Sequence, residues 1–543
     1  MSVAGLLLAA CLLVPLAMAA GCRSHRFRAW VPGLLWLAPV PAMLAAWLLP
    51  AGATASFPVP FRMTLALDQP GAILLGGAAL LWSAAGAYAA SYMRGKPGLT
   101  GFCVWWLLTL AGSLGVFIVS DIASFYLLFT LASLSAYGLV AHEQTVAAKR
   151  AGVVYMVLAL LGEAFILFGF VMLAAGNPDP NPLIRDAVAM LPGSAMRNGI
   201  VLMLILGFAL KMGLVPLHVW LPLAHPAAPM PASAVLSGVL VKAGVIGLIR
   251  FLPFDTALPG WGALLAAAGI LTAYGGVALG LSQRRPKTIL AYSTVSQMGL
   301  VAAIMGAGLA AGDPYAPSLA AYYGLHHTLV KGGLFLAIGV AMASGGAGLR
   351  PVLLLTGLLA LSLAGLPLTS GALAKLAVKP MLGSGALSFA VSLAAAGSTM
   401  LMLHFIAVML RETAGKPDAT APQGEVVPFL AVAIASLAIP WWLYPALSGE
   451  PLASAWELAS LWKLLWPMLL GGAIFVLLGR FESFGGRVPE GDILVLAEGQ
   501  APRFGRLPAA IERFDGALRR WPLAGLVLVG LVILLGGRFL LPS

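Results

Sequence analysis

Residues 201–250 read VLMLILGFALKMGLVPLHVWLPLAHPAAPMPASAVLSGVLVKAGVIGLIR. Two apolar helical stretches each hold one lysine, Lys211 and Lys242. Between them come Pro216, Pro222, Pro226, Pro229 and Pro231, with His218 and His225 interspersed. Proline removes a backbone donor and clashes with the preceding turn, so a helix carrying Pro216 is expected to break there. A break at bilayer depth exposes backbone groups that lipid cannot satisfy. It persists only where protein or a hydrated cavity surrounds it. A lysine at that depth costs roughly 2.5–3.5 kcal/mol on insertion scales and marks a functional position by default. Snorkelling to the interface is the ordinary alternative, but Lys211 has apolar residues on both sides.

Working outward, the 543 residues are 61% hydrophobic and only 9% charged. A soluble protein averages about 25% charged, so this is a polytopic membrane chain. The net charge of +12 belongs to short basic loops between spans and does not indicate a nucleic-acid partner. Cys11, Cys22 and Cys103 are scattered with no C-x-x-C pair, which argues against an iron–sulfur or zinc site. There is no Walker loop or dinucleotide fingerprint, and no cofactor is expected. Energy must come from an ion gradient or a partner subunit. A signal peptide places basic residues before its apolar core. Here Arg23, Arg26 and Arg28 follow it, so the first apolar run is expected to be a retained span.

About sixteen apolar segments have spanning length, near 3–20, 30–50, 71–92, 102–119, 122–141, 151–175, 199–222, 232–251, 260–281, 288–310, 318–343, 351–379, 386–410, 427–447, 460–478 and 522–541. With both termini outside, 20 of the 31 Lys and Arg fall in cytoplasmic loops, six outside, and five lysines within spans. That asymmetry follows the positive-inside rule and predicts an inner (plasma) membrane protein of bacterial type. The polar stretch 479–521 ends in an amphipathic run, LPAAIERFDGALRRW. It is expected either to lie along the membrane or a partner, or to form a solvated loop.

The spans carry a sparse polar series. Asp121 and Thr130 lie in or near the fifth and Glu163 in the sixth. Lys211 and His218 lie in the seventh, Lys242 in the eighth, and His326, His327 and Lys331 in the eleventh. Lys375 and Lys379 follow Pro367 in the twelfth, and His404 is in the thirteenth. His327 and Lys331 are four apart and share a helix face. Buried groups whose protonation depends on their neighbours can pass a proton along a row. The competing reading, structural polar contacts between helices, fits one buried lysine better than five.

The breaks near Pro216 and Pro367 also divide the chain. Residues 101–255 and 256–412 would be five-span units, each with a broken helix beside a lysine. An odd span number makes them oppositely oriented, an inverted repeat. Residues 1–100 would supply three N-terminal spans and 413–543 the C-terminal spans. The expected fold is therefore all-α, with broken helices in spans seven and twelve.

At these residues a family resemblance appears. The segments KMGLVPLHVWLPLAHPAAPMPASAVLSGVLVKAG (211–244), PKTILAYSTVSQMG (286–299), HTLVKGGLFL (327–336) and SLAGLPLTSGALAK (362–375) carry it over spans seven to twelve. The chain resembles the antiporter-like proton-translocating subunits of respiratory complex I, Mrp-type cation/proton antiporters and membrane-bound group 4 hydrogenases. LPLAHPAAP looks most like the hydrogenase and Mrp branches. The resemblance implies that Lys211 is the lysine paired with a fifth-span glutamate and Lys242 the central group. Lys331 and Lys375 would lead to the far side, with His327 one turn before Lys331. It also implies partner membrane subunits of such an assembly, and protons as cargo with Na⁺ as candidate counter-cation.

One position departs. Counting back from Ser133-Leu134-Ser135-Ala136-Tyr137 places the family's glutamate at Thr130, which cannot carry charge. Glu163 on the next span is the candidate replacement. The alternatives are an energy-coupling subunit for uptake of inorganic carbon or another solute, and a non-conducting scaffold.

Overall fold

A computed structural model describes residues 2–57, 62–179 and 181–479, with isolated positions 488, 489 and 495. The expected sixteenth span and nearly all of the 479–521 stretch lie outside the described residues. The chain runs α1 (Val3–Gly21), α2 (His25–Leu34), α3 (Val40–Leu48), β1 (Ala53–Phe57), β2 (Met63–Leu67), α4 (Gln69–Tyr92), α5 (Leu99–Gly115), α6 (Ile122–Val140), α7 (Val146–Ala174) and α8 (Ile184–Met190). It continues through α9 (Arg197–Met212), α10 (Trp220–Ala227), α11 (Met230–Phe251), α12 (Pro259–Leu281), α13 (Pro286–Ala311), α14 (Ala316–Ala343), α15 (Gly346–Ala364), α16 (Ser370–Leu382), α17 (Ala386–Thr413), α18 (Gln423–Ser448) and α19 (Leu458–Gly479).

Among the described residues, twelve helices are long and apolar enough to cross a membrane. Three other expected spans take different forms. The stretch 30–50 divides between α2 and α3, α5 is a shorter apolar helix, and the seventh is broken into α9 and α10. The twelfth is also broken, into α15 and α16. Both breaks begin at a glycine in the left-handed region, Gly213 (φ +76°) and Gly365 (φ +102°). A Cβ is disfavoured there, so glycine ends each half-helix cleanly.

The sequence reading did not anticipate one element. β1 and β2 form an antiparallel hairpin with Ala53 opposite Leu67 and Phe57 opposite Met63. Leu65 and Leu67 face inward while their neighbours stay partly exposed, the period of two expected of a half-buried strand. The hairpin is pinned to the start of α6: Thr64 N donates to Asp121 Oδ2 at 2.8 Å and Ser120 N to Thr64 O at 2.9 Å.

The helices differ sharply in burial. Over its spanning part α11 is 100% buried, α14 94% and α13 83%, against 39% for α7, 33% for α18 and 22% for α19. The lysine-bearing α11 and α14 are thus shielded by other helices, and α7, α18 and α19 form the periphery. Lipid tails are as apolar as leucine, so close packing of small residues must bring membrane helices together. Gly262, Gly269 and Gly276 of α12 do this against α13. A Cβ at these positions would lie 2.4 Å from Ala310 N, 2.5 Å from Ala303 N and 2.7 Å from Ser296 N, respectively.

Candidate functional site

α9 ends at Met212, one residue after the buried Lys211. The backbone groups freed by the break find protein partners: Val215 N donates to Thr272 Oγ1 at 3.0 Å, and Trp220 Nε1 to Leu210 O at 3.0 Å. Pro216 lies within this break, and its peptide bond with Val215 is cis. Lys211 is only 4% exposed. Its Nζ donates to Ser133 Oγ on α6 at 2.6 Å and to Tyr155 OH on α7 at 3.5 Å. Tyr155 OH in turn donates to Ser133 O at 2.8 Å. The Phe129 ring lies 5.2 Å from the ammonium, within cation–π range.

Glu163 of α7 is turned into the protein, 4% exposed. Its carboxylate is an electrostatic neighbour of Lys211 and of Tyr155. It does not meet Lys211 directly, and its Oε1 has no hydrogen-bond partner. Thr130 Oγ1 is likewise buried without a partner. The sequence reading missed Ser133 and Tyr155 as holders of Lys211, although Ser133 stands in the run used to locate Thr130.

Lys242 follows a π-helical turn, Leu236–Leu240, inside α11. Such a turn shifts the hydrogen-bond ladder and frees carbonyls, a frequent feature of functional sites. Here Gly238 O accepts from Thr328 Oγ1 at 2.8 Å, and Ser237 O from Lys242 Nζ at 3.4 Å. The Lys242 ammonium is hydrogen-bonded to His327 Nδ1. His327 Nε2 is buried and has no partner. Lys331, one turn on, donates to Leu290 O of α13 at 2.9 Å. His326 Nδ1 pairs with Ser370 Oγ at 3.0 Å, and that hydroxyl with Ser362 Oγ at 3.1 Å across the second break. Pro367 lies in that break, and Lys375 donates to Ala364 O, a carbonyl freed there.

These groups form one electrostatically linked set. Lys331 acts on Lys242, both lysines act on His327, and Lys375 and Lys242 act on His326. His225 of α10 belongs to it through Lys331. His225 is fully buried with both ring nitrogens unpartnered, its ring 5.0 Å from that of Phe335. His218 sits in the first break, fully buried, 6.0 Å from the Tyr292 ring.

Asp121 and His404 find their partners outside this set. Asp121 caps α6, accepting from Ser124 N at 2.8 Å and from Asn181 Nδ2 at 3.1 Å. That is a positioning role at a helix start. His404 Nε2 donates to Gln283 O at 2.7 Å. Lys379 shares a cavity with Lys375, Tyr323 and the exposed Lys463. The arrangement holds a series of amines and imidazoles between helices shielded from lipid, interleaved with hydroxyls and freed carbonyls. Such a series can hand protons from group to group.

Hydrogenase-4 component B of Escherichia coli (strain K12) is 32% identical over 311 residues, 54% of this chain and 46% of that protein. NADH-quinone oxidoreductase subunit N of Desulforudis audaxviator is 33% identical over 308 residues, 53% of this chain and 58% of that protein. The chain thus spans about half the length of the sequence relatives it matches. Among solved structures, the Mrp complex from Dietzia sp. DQ12-45-1b gives a TM-score of 0.75 at 20% identity, covering 100% of this chain and 64% of that one. The membrane-bound sulfane sulfur reductase, an archaeal respiratory membrane complex, gives 0.70 at 21% identity, covering 87% and 99%. These two likenesses establish the fold. The family model described as "NADH:quinone oxidoreductase/Mrp antiporter, TM" matches residues 119–402, just over half of the chain, and the chain belongs to that family.

Proposed function

We propose that this chain is a proton-translocating, antiporter-like subunit of a larger ion-pumping membrane complex. The observation that carries the reading is the Lys242–His327 hydrogen bond, buried in the most enclosed helices and continued by Lys331, His326 and Lys375. In this reading protons pass along Lys211, Lys242, His327, Lys331 and Lys375, with Glu163 and His218 beside them. The face bearing Lys149, Arg150, Arg284 and Arg285 is the cytoplasmic one, by the positive-inside rule. Residues 101–255 and 256–412 serve as the two inverted five-helix units, each contributing one broken helix. Partners are other membrane subunits of a complex I-like, Mrp-like or hydrogenase-like assembly, which supply any redox chemistry.

The test is proton translocation by the assembled complex in sealed vesicles. Lys242→Ala should abolish it with subunit assembly unchanged. Wild-type translocation by a correctly assembled Lys242→Ala complex sinks the reading. One observation favours a scaffold role for the first half: Lys211 is held by a hydroxyl and not by a carboxylate. In that case Lys211→Ala would leave translocation intact.

A further inference from the structure

Lys287 reads in the sequence as one of three charges in a basic loop. In the structure it is half-buried at the start of α13, and its Nζ donates to Ala228 O at 2.6 Å. Ala228 ends α10 and begins the turn into α11. The same turn is held from inside by the Ser233 hydroxyl, 2.8 Å from His225 O and 3.2 Å from Ala228 O. Three residues before Ala228 lies His225. Its ring nitrogens are fully buried and unpartnered, and buried polar groups in native proteins rarely stay so.

Two cations act on that imidazole, Lys287 from the basic face and Lys331 from within. Phe335, against which the ring packs, lies one turn from Lys331 on the same face of α14. Lys287 is also under the influence of Glu143 and Lys96, in the loops that follow α6 and α4. Glu143 is exposed. Lys287 is therefore under the influence of a surface carboxylate and acts on a buried imidazole, while it grips the backbone of the turn that carries the imidazole.

We infer that Lys287 is a positioning residue for the buried row: by gripping Ala228 O it latches the α10–α11 turn over His225, and it releases that turn by passing to Glu143. The inference rests on the proton-translocation reading for its purpose, though not for its geometry. An ammonium has several donors and a flexible stem, so it can exchange one acceptor for another without a covalent step. With the latch closed, His225 is sealed from the basic face and faces Lys331. With Lys287 on Glu143, the turn is free to open and His225 can gain the partners it lacks.

Two measurements on the assembled complex test this. The first is translocation by Lys287→Met, Lys287→Arg, His225→Gln and the Lys287→Met/His225→Gln double variant. Loss of a hydrogen bond from a charged donor should slow Lys287→Met by about tenfold or more, with assembly intact. Lys287→Arg should restore most of the rate. The double variant should be no slower than the slower single, because Lys287 acts through His225. The second is independent of transport. The three native cysteines are buried and are replaced by serine, and His225→Cys is introduced. Its thiol should react several-fold faster with a membrane-impermeant maleimide added to the basic face when Lys287→Met is also present. Wild-type translocation by Lys287→Met, additive losses in the double variant, or equal labelling in both backgrounds overturns the latch. If the unmodified complex translocates no protons, the proposed function fails, and the labelling alone decides whether the latch exists.

Discussion

The ammonium of Lys211 is bound to the hydroxyl of Ser133 at 2.6 Å, while the Glu163 carboxylate stands back without touching it. A buried ammonium needs hydrogen-bond acceptors, and an apolar site supplies none. Here a hydroxyl and a phenol take that role, assisted by the Phe129 ring. The helix break makes the geometry possible, because α9 stops just after Lys211 and leaves it free to point at α6.

Removing the hydroxyl should therefore be felt in transport. Ser133→Ala leaves Lys211 with Tyr155 OH at 3.5 Å as its remaining side-chain acceptor. A hydrogen bond to a charged group is worth about 1.5–3 kcal/mol. Translocation in sealed vesicles should fall about tenfold or more, and further in Ser133→Ala/Tyr155→Phe. Wild-type rates in the double variant would show that Lys211 does not depend on these partners.

The fold was legible in the sequence because bilayer physics writes it plainly. Apolar run lengths located the helices, and prolines near lysines located both breaks. The polar partners were not legible. Ser133 and Lys211 are 78 residues apart, and Lys242 and His327 are 85 apart. Nothing local in either stretch states the pairing. The π-helical turn before Lys242 was also hidden, since VLSGVLVKAG fits an α-helix equally well. The β1–β2 hairpin was overlooked for another reason: its strands are short and fall in what reads as a loop between spans. Lys287 stands beside two exposed arginines, and nothing local in the sequence shows that its own ammonium reaches Ala228 O.

Arg250 is predicted to be the main staple of the opposite face. Its side chain is 7% exposed, and it donates to both oxygens of Asp68 and to Val116 O, Phe117 O and Val119 O, at 2.6–3.1 Å. It thereby ties the end of α11 to the start of α4 and the end of α5. Asp68 is itself about half exposed, so solvent screens part of the ion pair. Arg250→Met should destabilise the chain by roughly 2–3 kcal/mol, the scale of a lost charge-assisted hydrogen-bond set. Arg250→Lys should recover little, because a lysine lacks the planar fork. Thermal unfolding in detergent measures both. Equal melting of Arg250→Lys and wild type would contradict the fork argument.

The second half of the path is predicted to run through Lys375, held on Ala364 O at the α15–α16 break. Lys375→Met removes the titratable group and should block translocation. Lys375→Glu restores a titratable group at the same helix position and should retain part of the rate. Assembly should be unaffected in both, since Lys375 is only half-buried and borders a cavity. A Met variant that translocates like wild type places the path elsewhere.

The last prediction concerns the carboxylate opposite Lys211. Thr130 occupies the position where the family resemblance implies a glutamate, and its hydroxyl is buried without a partner. Desolvation disfavours a charged ammonium, and a nearby carboxylate opposes that. At an effective dielectric of about 20, two unit charges roughly 4 Å apart attract by about 4 kcal/mol, and less at larger separation. Glu163 is buried on α7 and acts on Lys211 without direct contact, so it should supply a reduced share of that attraction. Glu163→Gln removes the charge and keeps the shape, so translocation should fall by about tenfold, the effect of about 1.4 kcal/mol. Thr130→Glu, added to Glu163→Gln, returns a carboxylate to the α6 face that also bears Ser133, and should restore part of the rate. Proton translocation by the three assembled complexes decides it. If Glu163→Gln runs at the wild-type rate, Lys211 is controlled by Ser133 and Tyr155 alone and the carboxylate has no part in the first half of the path.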